Sequence, residues 1–115
     1  MYKIIVDKEK TRRMKYYIEV WGLKCNPFVY HSNIERITVY HGVEMSRLYE
    51  LFVNAYVNAG AYFYMEYNDL VRALKERNIK DAVRLIEKGL ACKVLVERKL
   101  DGERFIGLNP NLSPW

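Results

Sequence analysis

The sequence predicts an α+β protein in which an N-terminal antiparallel β-sheet precedes a helical block and a closing β-hairpin. Three observations predict it. Apolar residues alternate with polar ones through much of 1–43, and they recur at helical spacing over 44–91. Asp101-Gly102 then separates two apolar-rich runs, which is the strongest short-range hairpin signal in the chain.

Tyr2, Ile4 and Val6 alternate with Lys3 and Asp7, and Tyr16, Ile18 and Val20 alternate with Lys15, Tyr17 and Glu19. Both are period-two patterns of half-buried strands, joined by a polar turn over 8–13. A second pair, 28–31 and 34–41, flanks a turn at Ser32-Asn33 and completes a three- or four-stranded sheet. Ser46 is an N-cap for a helix over 46–60, with Met45, Leu48, Phe52, Ala55 and Ala59 on one stripe. Val53 and Val57 lie off that stripe, so this helix needs a second cover, either the N-terminal strands or another subunit. The aromatic run 61–67 reads as a short strand. Asn68 caps a helix over 69–77, Asn78 breaks it, and a second helix over 79–88 turns Ile79, Val83 and Ile86 inward and stops at Gly89. Strands over 93–98 and 103–108 follow, and Pro110 and Pro114 end regular structure in a tail, 111–115.

At 115 residues and half apolar composition the chain suits one domain with its own core. The net charge of +5 and a pI of about 9.2 favour an anionic partner. No apolar run reaches the roughly 18–20 residues of a membrane span and no charged-then-apolar leader opens the chain, so a cytoplasmic protein is expected, without membrane contact. Cys25 and Cys92 are read as buried free thiols, with a bridge left open. Gln is absent while charged residues and Tyr are abundant, and this composition resembles small proteins of hyperthermophilic archaea or their viruses.

From Ser46 onward the predicted order is helix, strand, helix, tight turn, helix, strand, turn, strand. The segment Ala82-Val83-Arg84-Leu85-Ile86-Glu87-Lys88-Gly89-Leu90, the run Lys93–Glu97, the Asp101-Gly102-Glu103-Arg104 turn and the closing Ile106–Pro110 stand in that order. Over 46–110, within a unit spanning 44–110, the chain resembles the winged helix-turn-helix superfamily. The resemblance implies a double-stranded DNA-binding protein, generally a dimeric transcriptional regulator. It also implies that helix 79–88 enters the major groove and that the wing, 98–104, clamps the backbone. Helical geometry independently places Lys80, Arg84 and Lys88 outward. Arg84 is the candidate for bidentate base contact, Lys80 and Lys88 for phosphate, and Arg98, Lys99 and Arg104 for the wing.

His31 and His41 stand in repeated Val-Tyr-His triplets, yet with Cys25 and Cys92 they fit no zinc spacing, so no metal is expected. No phosphate-cradling glycine loop or nucleophile–base signature occurs, and no cofactor or catalytic residue is expected. The competing reading is a protein–protein module built on the same fold without DNA.

Overall fold

Asp7 sets the first turning point of the chain. Its extended backbone ends strand β1 (Ile4–Val6), and its carboxylate accepts from Lys10 N at 3.0 Å, capping helix α1 (Lys8–Trp21). Gly22, at φ 65°, closes α1 in the left-handed conformation. Asn26 then accepts from Phe28 N and Val29 N, and Pro27 opens helix α2 (Pro27–His41). The computed structural model describes all of residues 1–115.

Residues 1–43 therefore hold one short strand and two helices, not the three- or four-stranded sheet that alternation predicts. The alternation is carried by side chains that face water: Tyr16 and Val20 are exposed, as are Phe28, Val39 and Tyr40. The inward residues are Thr11, Met14 and Ile18 on α1, and Tyr30, Asn33, Ile34 and Ile37 on α2, each at helical spacing. Asn33 is no turn residue. It is buried in α2, where its amide donates to Tyr49 Oη and to the Leu112 carbonyl, both at 3.1 Å. Replacing Asp7 by Ala removes the α1 cap and is expected to cost about 1 kcal/mol, read as a lower urea midpoint at unchanged slope.

Gly42, at φ 96°, separates α2 from helix α3 (Val43–Ala59), and the two helices pack against each other. Ser46 lies inside α3, its hydroxyl donating to the Val43 carbonyl at 2.8 Å, and is not the cap. Val53 is buried within the chain itself, and Val57 is half-buried. The cover expected from N-terminal strands or a second subunit thus comes from elements of the same chain.

Strand β2 (Phe63–Glu66), helix α4 (Tyr67–Glu76), helix α5 (Ala82–Ala91) and strands β3 (Leu95–Leu100) and β4 (Glu103–Leu108) follow. Glu66 rather than Asn68 caps α4, accepting from Asn68 N and Asp69 N. Asn78 takes the left-handed conformation (φ 64°) that ends the α4 segment. Asp101 and Gly102 both have positive φ, the requirement of a two-residue turn matching strand twist. The sheet is antiparallel in the order β1-β2-β4-β3, with Val6 opposite Phe63, Met65 opposite Ile106 and Leu95 opposite Leu108.

Phe63, Ile106, Leu108 and Leu95 share one buried face, and the core runs from them through Leu48 and Ile86 to Ile37 and Met14. Tyr56 Oη donates to the Phe63 carbonyl and accepts from Leu108 N, fastening α3 to the sheet. The tail is also fastened. Pro110–Leu112 form a 3-10 turn, the Pro114 carbonyl accepts from Asn26 N, and Trp115 Nε1 donates to the Lys24 carbonyl. No helix is long and apolar enough to cross a membrane.

Candidate nucleic-acid interface

α5 begins three residues later than periodicity predicts. Ile79, Lys80 and Asp81 form the turn after Asn78, and the Asp81 carboxylate caps the helix by accepting from Arg84 N. The inward set is accordingly Ala82, Leu85, Ile86 and Gly89, with Ile79 buried in the turn. Val83, expected inward, is 48% exposed. Gly89 does not stop the helix; it admits β3, since a Cβ there would stand 2.8 Å from Leu95 Cδ1. The chain turns instead at Cys92 and Lys93, the latter at φ 64°.

Lys80 is exposed in the turn, and Arg84 and Lys88 are exposed on α5. Arg84 and Lys88 face the α2–α3 junction, where they line a depression of about 420 Å³ with His41, Gly42, Val43, Glu44 and Asp81. Lys88 Nζ donates to the His41 carbonyl at 2.9 Å, which satisfies the C-terminal end of α2. Lys80, Arg84, Arg98 and Lys99 form no ion pair.

Arg104 is differently placed. Its Nε donates to Glu97 Oε1 at 2.5 Å, its Nη2 lies 3.3 Å from the Glu87 carboxylate, and its guanidinium stacks 4.3 Å from the Tyr67 ring centroid. The hydrogen bond that Arg104 donates to Glu97 holds the Arg104 pKa above its usual value, and burial pushes the Tyr67 phenol up. Arg104 is thus a clasp joining the hairpin to α5 and to the start of α4. Pairing register puts Lys99 opposite Arg104, on the hairpin face toward α5. Arg98 lies on the other face, its guanidinium 5.1 Å from the Tyr64 centroid. Arg98, expected beside Lys99 and Arg104 on the wing, therefore stands apart from the face that carries them.

Sequence reasoning missed Val83, His41 and Val43 as neighbours of this surface, and Glu87 as the partner of Arg104. His31 and His41 both lie on α2, about 15 Å apart along its axis, and not across a hairpin. Cys25 and Cys92 are free and half-buried. Comparison of the chain with protein-family models, with curated proteins and with solved structures finds no match.

Proposed function

We propose that the chain is a non-enzymatic winged helix-turn-helix protein that binds double-stranded DNA as a transcriptional regulator. The order α3-β2-α4-α5-β3-β4 supports the winged-helix reading, with α4 and α5 as the helix pair and β3–β4 as the wing. One observation carries the DNA reading. Of the acids on and beside the exposed side of α5, Asp81 serves as a cap and Glu87 pairs with Arg104, which leaves Glu44 as the one unpaired carboxylate in the depression against Lys80, Arg84, Lys88 and Lys99, none of which forms an ion pair. The uncompensated charge of this surface is positive and is presented on a helix, whose diameter suits the major groove. Arg84 reads a base edge, Lys80 and Lys88 meet phosphate, and Lys99 reaches the backbone from the wing. Arg98 is left to flanking backbone and Arg104 to the clasp. Two copies on paired half-sites would complete the operator contact.

Titration of a labelled duplex at several salt concentrations tests this reading. Each neutralised phosphate contributes about −0.9 to the log–log slope, so a handful of contacts gives a steep dependence. Affinity that is flat with salt, or absent at about 50 mM, contradicts the proposal and favours the protein-partner reading. That second reading has its own support in the exposed apolar side chains Tyr40, Val43 and Val83 around the same surface.

The clasp makes a further expectation distinctive. Replacing Arg104 by Ala leaves Glu87 and Glu97 unneutralised beside α5 and weakens duplex binding by repulsion. Adding Glu87→Gln to that variant restores most of the loss. A simple phosphate contact by Arg104 would show no such rescue.

A further inference from the structure

We propose that the pocket between α3 and α4 binds a compact apolar molecule carrying one carboxylate group. Leu51 and Ala55 of α3, Met65 of β2, Ala73 of α4 and Tyr2 line this pocket, and its volume is about 210 Å³. A closed apolar cavity of about 150 Å³ admits benzene, so this open, apolar-lined pocket has room for a six-membered ring or a short branched chain. The pocket lies away from the α5 surface and has no part in the proposed DNA contacts.

The charge at its mouth selects the polar end of the ligand. Arg77 is the one lining side chain that carries a charge. It forms no ion pair, and its only side-chain hydrogen bond goes to the Ala73 carbonyl of its own helix, at 3.3 Å. Neither nearby carboxylate pairs with it. Glu76 accepts from Tyr2 Oη at 2.9 Å, and Asp69 accepts from Arg72 at 2.6 Å and from Lys3 N at 2.7 Å. A guanidinium with free donors at the rim of an apolar-lined pocket matches a planar carboxylate bidentately.

The test is a methyl and amide NMR titration of the full-length protein with benzoate and, separately, with benzyl alcohol as its uncharged counterpart. Benzoate is expected to shift the methyls of Leu51, Ala55, Met65 and Ala73, binding roughly tenfold or more tightly than benzyl alcohol. Arg77→Ala is expected to abolish that difference while leaving benzyl alcohol binding unchanged. Ala55→Leu, which fills the pocket, is expected to abolish both. Arg77 is exposed, so its variant keeps the fold and the test stands even if Ala55→Leu is destabilised. The proposal is overturned if neither probe shifts the pocket methyls, or if benzoate binding survives Arg77→Ala undiminished. Because no DNA is present, failure here leaves the DNA reading untouched, and failure of duplex binding leaves this one untouched.

Discussion

Replacing Met14 by Ala is expected to destabilise the protein by about 2–5 kcal/mol. Met14 is 0% exposed and belongs to the same apolar cluster as Ile37, Tyr49 and Leu108. Truncation removes buried methylene and thioether contacts and leaves a cavity that a helix pinned at Asp7 cannot collapse to fill. Domains of this size have total stabilities of about 5–15 kcal/mol, so the change is large. Urea unfolding followed by far-ultraviolet circular dichroism and by tryptophan fluorescence measures it. Trp21 and Trp115 report on α1 and on the tail, so the two signals are expected to shift together. A loss below about 0.5 kcal/mol, or fluorescence that unfolds separately, would mean that α1 is an appendage and not part of the core.

Met14 also shows where the sequence was hard to read. Its partners at helical spacing, Thr11 and Ile18, are one small and one half-buried residue, which makes a faint stripe. The exposed Tyr16 and Val20 on the same helix are large and apolar, and with Ile18 between them they produce a stronger period of two. α2 repeats the problem with Phe28, Val39 and Tyr40 outside and the polar Asn33 inside. Local chemistry marked both helix starts nonetheless, through Asp7 and Asn26-Pro27, and those capping signals outweigh the alternation. Residues 44–108 were more legible, because Asn78 and Asp101-Gly102 are turn residues whose positive φ the backbone does adopt. There the errors are of phase. Counting Ile79 into the helix turned Val83 inward, while the outward placement of Arg84 and Lys88 survived the shift. The Glu97–Arg104–Glu87 clasp joins strand, hairpin and helix, and no local pattern encodes that meeting.

The second large effect concerns specificity. Arg84→Ala is expected to cost roughly 1–3 kcal/mol on the preferred duplex and little on random DNA, because one bidentate base contact is lost. The side chain is exposed and unpaired, so its removal leaves no buried group unsatisfied and the fold unchanged. Lys80→Ala, by contrast, is expected to weaken both duplexes by similar factors and to reduce the salt slope by about one unit. The preferred duplex comes from selection out of a random pool. If selection enriches no sequence, or if Arg84→Ala weakens both duplexes alike, Arg84 is a phosphate contact and the regulator reading gives way to non-specific coating.

We propose that α5 and the β3–β4 hairpin form the DNA-binding surface. Amide shift mapping of the labelled protein, titrated with the selected duplex at about 50 mM salt, where phosphate contacts are least weakened, tests it most directly. The largest perturbations are expected on Lys80, Val83, Arg84 and Lys88 and on the hairpin from Arg98 to Asp101, with α1 little affected. A spectrum unchanged by the duplex, or perturbations centred on α1 with α5 silent, would contradict it.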